Sequence, residues 1–271
     1  MARPQVEDQV PLQEPDLDAL MSQVCWAGHS FLKRDRVRAA FLSEPSLVSV
    51  GGFTYHQLAK EGEERSVSFT SEVRKSFLRW PGKRVLVLVL GDNDFSVLTP
   101  EYQVVPGQNY DDAKTHTADF VAKWIEQAID LAVSSGATHV VMSQLFPRYF
   151  ARSQGDVPVR VTRRKKFKYV KPEHRAWTVD GDNWYNSVAK AINRHLKVMV
   201  GPRWREHVRG GKSVHLATLS TRSNPFTDVL PEHFDEWRSR GGQVRTCVHP
   251  TALTFGRYYV QPLVNLLRSL D

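Results

Sequence analysis

The feature that most constrains this chain is an uninterrupted apolar run at residues 85–90, with the sequence Val-Leu-Val-Leu-Val-Leu. Valine and leucine without an intervening polar residue are typical of a strand covered on both faces, as strands in parallel sheets are. The run is far shorter than the roughly 18 apolar residues that a transmembrane helix needs, so it predicts no membrane span. We therefore expect the central strand of a sheet with helices on both sides.

Shorter apolar runs alternate with helical patterns along the rest of the chain. The predicted strands cover residues 24–27, 47–50, 85–90, 138–143 and 213–219. Apolar residues at helical spacing predict helices over residues 31–41, 69–77, 117–134, 185–199 and 260–267. Gly136 would end the third helix, and Pro262 would lie in the first turn of the last. The pattern predicts a three-layer α/β/α fold around a doubly wound, five-stranded parallel sheet of the flavodoxin-like type.

The first twenty residues differ in composition from the rest of the chain. Residues 1–20 are acidic and contain proline, which predicts a polar, flexible leader before a single α/β domain over residues 21–271. The leader lacks the apolar segment of a secretory signal, so we expect an intracellular protein, in cytoplasm or nucleus. Cys25 and Cys247 have no paired spacing, and the histidines are scattered. We therefore expect no disulfide, no metal site and no cofactor.

The net charge of +8 is concentrated in one part of a long excursion at about residues 150–180. Residues 160–171, which we call the basic segment, hold seven cations and no acid. These cations are Arg160, Arg163, Arg164, Lys165, Lys166, Lys168 and Lys171. Phe167 and Tyr169 lie among them, and such a mixture can hold phosphates and stack bases. The basic segment is a candidate contact for RNA or single-stranded DNA, and the alternative is a solvated basic loop.

Four short blocks carry the groups that acyl transfer needs. They read Gly28-His29-Ser30, Gly52-Phe53-Thr54, Gly91-Asp92-Asn93-Asp94 and Val248-His249-Pro250, and each follows a predicted strand. A serine nucleophile requires a base, and the oxyanion of the tetrahedral intermediate requires fixed hydrogen-bond donors. The blocks supply a serine, a histidine, a glycine N–H and an asparagine amide. Taken singly, Ser30 would only cap a helix and Asn93 would only form a turn.

Together the blocks resemble those of the SGNH hydrolases, also called GDSL-like esterases and acylhydrolases, over roughly residues 24–270. The resemblance implies that Ser30 is the nucleophile and His249 the base. It also implies that the Ser30 and Gly52 N–H groups and the Asn93 side chain form the oxyanion hole, with Asp94 in a supporting role. The stretches WAGHSFLKR and VLVLGDNDF look most like the intracellular SGNH-like domains of some retrotransposons.

Two positions depart from the family pattern. His29 stands where the first block usually has aspartate, which leaves the nucleophile in place. Thr246 stands where the D-x-x-H block has the aspartate that orients the histidine. Loss of that carboxylate's function costs about 10⁴ in turnover in a well-studied triad. The chain is therefore a Ser-His dyad enzyme, an enzyme with an acid from elsewhere, such as Asp228 or Asp235, or an inactive relative.

Two functions from different classes follow. The first is hydrolysis of a small acyl ester by a serine esterase with a dyad or an incomplete triad. The second is binding of RNA or DNA through the basic segment by a catalytically weak or inactive SGNH-like domain. Thr246 counts against the first function, and the seven cations favour the second. The two functions do not exclude each other.

Overall fold

The computed structural model has an α/β fold, in which helices pack against a sheet whose first four strands are parallel. It describes residues 24–28, 55–60, 62–78, 82–90, 110–146, 178–179, 182–200, 205–209, 212–219, 234–238, 244–250 and 252–269. The predicted leader, the predicted strand at residues 47–50, the predicted helix at residues 31–41 and the basic segment lie outside these residues.

The elements follow one another as strands and helices along the described chain. The strands are β1 (Val24–Gly28), β2 (Val85–Val89), β3 (His139–Ser143), β4 (Thr178–Val179), β5 (Asp182–Asn183), β6 (Arg205–Arg209), β7 (Lys212–Leu219), β8 (Phe234–Arg238) and β9 (Val244–Pro250). The helices are α1 (Tyr55–Leu58), α2 (Glu64–Phe77), α3 (Tyr110–Ser134), α4 (Trp184–Val200), α5 (Ala252–Phe255) and α6 (Gln261–Arg268). A π-helical turn, Gly256–Val260, joins α5 to α6.

The main sheet has the strand order β1-β2-β3-β7-β6. The first four strands in this order are parallel, as the sequence predicts, and the connections between them contain helices, as parallel strands usually require. β6 was not predicted, and it pairs with β7 antiparallel at the edge of the sheet. β4 pairs with β5 and β8 with β9 in separate two-stranded ladders.

The two faces of the main sheet bury different core clusters. Along β1, Cys25 and Ala27 belong to a cluster formed with α1 to α4, whereas Val24 and Trp26 belong to a second cluster formed with the C-terminal helices. β2 divides in the same way, because successive strand residues point to opposite faces. The uninterrupted apolar sequence of β2 is explained by this burial on both sides, since residues 85–90 are all at most 2% exposed.

The helices follow the apolar spacing in the sequence. α2 buries Phe69, Val73 and Phe77, the three residues that predicted it. α3 begins at Tyr110 rather than at residue 117, and Gly136 after its end has a φ of 96°, a left-handed conformation that favours glycine. Pro262 lies in the first turn of α6, as predicted, directly after the π-helical turn. No helix of the described chain has both the length and the apolar character that crossing a bilayer requires.

Candidate functional site

The carboxyl ends of β1, β2, β3 and β7 lie along one edge of the main sheet, because these strands are parallel. We call it the carboxyl edge. Gly28 at the end of β1 pairs in register with Val89 at the end of β2, and Ser143 pairs in the same way with Leu219. Ligands of open α/β sheets bind outside this edge. It is therefore the candidate site of this protein.

Glycine is required at the end of β1. A Cβ atom at Gly28 would overlap the backbone carbonyl of Val89. The obstacle is the backbone of the neighbouring strand, so no side-chain rotation can relieve the overlap. Gly28 thus has a packing role in addition to its place in the first sequence block, and it allows the chain to leave β1 directly beside the end of β2.

The segment after β3 is fixed to α4 by one side chain. The Asn193 Oδ1 atom accepts a hydrogen bond of 2.7 Å from the Leu145 N–H, and its Nδ2 group donates one of 2.9 Å to the Leu145 carbonyl. Both residues are buried, so water cannot replace these bonds at little cost. Asn193 was missed in the sequence, although a polar residue beside Ile192 and Leu196 in an apolar helical stripe was a usable signal.

Three buried polar atoms at the carboxyl edge have no hydrogen-bond partner among the described residues. They are Ser143 Oγ, Gln144 Nε2 and Tyr258 OH. Ser143 is the last residue of β3 and Gln144 follows it, and the ring of Tyr258 contacts Phe146 edge-on at a centroid distance of 5.2 Å. Buried polar groups are almost always paired, so each exception needs an explanation, such as a catalytic role, a strained backbone or an ordered water. These atoms are compatible with a site at the carboxyl edge, but such atoms also occur elsewhere, since Arg84 Nε before the amino end of β2 has no partner among the described residues either.

Aromatic contacts bring the C-terminal helices to the same edge. Phe146, three residues after the end of β3, contacts Tyr258 and also Tyr259, at 5.7 Å between ring centroids. Phe255 in α5 contacts Trp26 in β1 at 5.5 Å. The first turns of the C-terminal helices therefore start near the carboxyl edge, and β9 ends two residues before α5 begins.

The fourth sequence block lies in a strand rather than in a loop. No strand was predicted between residues 234 and 250, but β8 and β9 form an antiparallel hairpin there. Both Thr246 and His249 are residues of β9, and His249 is the register partner of Asp235 in β8. The pairing is irregular on either side of Trp237, where the register shifts.

The other predicted site residues lie outside the described residues. These are Ser30, Gly52, Asn93 and Asp94, together with the seven cations of the basic segment. The structure does describe the elements that flank three of the blocks. Ser30 comes two residues after the end of β1, Asn93 four residues after the end of β2, and Gly52 three residues before α1.

Two histidines of the described chain have pKa values below the usual value for histidine. Burial, helped by the charge of Lys60, lowers the pKa of His56, whose ring contacts Trp124 at 4.7 Å. Burial, with contributions from His215 and Lys83, lowers the pKa of His139 to about 4. His139 begins β3, so it lies at the opposite edge of the sheet from the candidate site.

No family model, curated protein or solved structure matches this chain. Within the described residues, no three histidine, cysteine, aspartate or glutamate side chains cluster in a way that could hold a metal ion.

Proposed function

We propose that this protein is a serine esterase of the SGNH type that hydrolyses a small acyl ester at the carboxyl edge of its sheet. The observation that carries the proposal is the register pair formed by Gly28 and Val89. From these two adjacent positions the chain enters the blocks that hold Ser30 and Asn93. An extended chain covers at most about 3.6 Å per residue, so Ser30 lies within roughly 7 Å of Gly28, and Asn93 within roughly 14 Å of Val89.

The course of the C-terminal helices supports the proposal for His249. β9 leads into α5 after one intervening residue, and the residues that follow contact Trp26 and Phe146. Trp26 lies in β1 only four residues before Ser30, and Phe146 follows the carboxyl end of β3. The base and the nucleophile are 219 positions apart in sequence, yet both are joined by short segments to elements that meet at this edge.

The burial of β1 supports the doubly wound, five-stranded, three-layer form of the fold. β1 is the last strand of the described sheet on its side, but Val24 to Ala27 are 0% exposed. A strand at an open edge leaves a row of backbone groups in water. In the flavodoxin-like order the second strand lies beside the first, so a strand at residues 47–50 would pair with the uncovered side of β1.

The proposed reaction needs no group beyond the chain and water. The Ser30 Oγ atom bonds to the ester carbonyl carbon while His249 takes the hydroxyl proton. The N–H groups of Ser30 and Gly52 and the Asn93 amide hold the oxyanion. The C–O bond to the alcohol then breaks, and the alcohol leaves with the proton from His249. Water, activated by His249, releases the acid from the acyl-enzyme and restores Ser30.

Hydrolysis of short-chain p-nitrophenyl esters tests this reaction. We expect wild-type protein to release p-nitrophenol. The kcat of the Ser30→Ala variant should be lower by about 10³-fold or more, because no other hydroxyl replaces the nucleophile. A fluorophosphonate probe should add its mass to wild-type protein and not to Ser30→Ala.

Ser71→Ala is the matched control, since Ser71 is an exposed serine on α2, far along the chain from every block. It should hydrolyse the esters and take up the probe as the wild type does. Equal hydrolysis by wild type and Ser30→Ala would refute the proposed nucleophile, and labelling at another residue would identify a different site.

A second function, nucleic-acid binding, is favoured by the seven cations of the basic segment. Each phosphate that a cation neutralises releases counterions, so the logarithm of the binding constant should fall with the logarithm of salt concentration by roughly 0.7 to 0.9 per contact. We expect about three to five contacts and a slope near −2 to −4 for a single-stranded oligonucleotide. The quadruple variant R163S/R164S/K165S/K166S should lose most of this binding and retain ester hydrolysis. Binding that survives these substitutions would refute the function.

A further inference from the structure

The missing aspartate at position 246 leaves the proposed base without the carboxylate that usually orients it. In a catalytic triad this carboxylate fixes the tautomer of the histidine and stabilises the imidazolium that forms during the reaction. The hydroxyl of threonine carries no charge and cannot do the second task. The proposed esterase therefore needs an acid from another part of the chain, or it works slowly as a dyad.

The hairpin brings one acid to His249. Asp235 in β8 and His249 in β9 are register partners in the antiparallel ladder. Directly opposed residues occupy the same face of a sheet, with Cβ atoms about 4.5–5.5 Å apart, which is the distance over which opposite charges on neighbouring strands interact. We propose that Asp235 is the positioning residue of this site and replaces the aspartate that Thr246 lacks. This inference rests on the proposed function.

The irregular register adds a second reason. Asp235 pairs with His249 and Trp237 pairs with Thr246, so β9 has one residue more than β8 between these pairs. An extra residue of this kind is a β-bulge, and bulges occur often beside active sites. Asp235 and Trp237 are two apart on β8 and therefore share a face, and their partners share it too. The bulge thus places position 246 on the same face of the hairpin as His249.

The hairpin also contains a second acid, Glu236, which should not orient His249. Glu236 follows Asp235 in β8, so it occupies the opposite face of the strand. Glu236 carries the same charge as Asp235 and is adjacent to it in sequence, but it lies on the other face of β8. Glu236→Gln is therefore a control for the loss of one negative charge from the hairpin.

The test compares three variants with the wild type. Asp235→Asn should lower kcat for a p-nitrophenyl ester by about 10²- to 10⁴-fold with little change in KM, since the substrate does not touch this residue. Glu236→Gln should keep the wild-type kcat. The double variant D235N/T246D should regain at least about tenfold, because position 246 shares the face of His249. A rescue of this kind would not follow from a merely structural role for Asp235.

A readout without turnover separates this inference from the proposed function. The imidazole of His249 can be titrated by NMR, with its signals assigned through His249→Gln. Loss of a neighbouring carboxylate disfavours the imidazolium, so the titration midpoint of His249 should move to lower pH in Asp235→Asn and not in Glu236→Gln. An unchanged midpoint in Asp235→Asn would overturn the inference, whatever the esterase activity. Wild-type hydrolysis in Ser30→Ala would instead overturn the proposed function and leave the NMR result standing.

Discussion

The stacked pair formed by His139, the first residue of β3, and His215 in β7 predicts an acid-sensitive fold. His139 and His215 are register partners, and their rings lie 4.8 Å apart at an interplanar angle of 13°. The Nδ1 atom of His139 also lies 2.8 Å from the hydroxyl of Thr138. Burial is the main cause that lowers the pKa of His139 from 6.5 to about 4, and His215 and Lys83 act in the same direction.

The sign of the effect follows from the two pKa values. The unfolded chain takes up a proton on this residue near pH 6.5, whereas the folded protein resists it down to about pH 4. Stability is therefore fully present above pH 6.5 and is lost as the pH falls from 6.5 to 4. The full difference would correspond to ~3.4 kcal/mol at 1.36 kcal/mol per pKa unit. Because the imidazole is only half-buried, solvent screening reduces this to about 1–2 kcal/mol.

Urea unfolding at a series of pH values between 7.5 and 4.5 measures this loss. The free energy of unfolding of wild type should fall over this range by about 1–2 kcal/mol more than that of His139→Gln, which lacks the titrating ring. The same pH dependence in wild type and His139→Gln would refute the reasoning.

Three further substitutions test the carboxyl edge. Gly28→Ala should lower the free energy of unfolding by about 3 kcal/mol or prevent folding, because its Cβ would overlap the Val89 carbonyl, and a thermal melt close to that of wild type would contradict this. Asn193→Ala should cost about 2–3 kcal/mol, since it leaves the N–H and carbonyl of Leu145 buried and unpaired; a Tm shift below about 2 °C would count against the interaction. Ser143→Ala should keep or raise the Tm, because its hydroxyl has no partner among the described residues. A decrease in the free energy of unfolding of more than about 1 kcal/mol would show that the hydroxyl is hydrogen-bonded.

The parallel sheet could be predicted because its signals are local. The predicted strands at residues 24–27, 85–90, 138–143 and 213–219 all correspond to strands of the main sheet, to within one residue at each end. α2 and α3 could be predicted for the same reason, since apolar residues recur at helical spacing and a glycine follows α3. A strand buried on both faces and a helix buried on one face each leave a distinct pattern in a short window of sequence.

The antiparallel strands were missed because their sequences are mixed in polarity. β6 reads REHVR, with no apolar run and no strict alternation. Gly210-Gly211 between β6 and β7 was a usable signal, because this dipeptide favours a two-residue hairpin turn. β8 and β9 read FDEWR and VRTCVHP, and the register shifts in their pairing cannot be read from either strand alone. Pairing of this kind depends on contacts between distant segments.

The same distinction explains what the sequence could say about the missing acid. A D-x-x-H block holds acid and base in one local stretch of chain, so its loss is visible as Thr246. A cross-strand pair holds them fourteen positions apart, and nothing in the sequence chooses Asp235 over Asp228. The register favours Asp235, because it lies opposite His249 at the distance of one strand spacing, whereas Asp228 lies outside the described residues. Threonine at position 246 is therefore no argument against catalysis until Asp235→Asn has been compared with D235N/T246D.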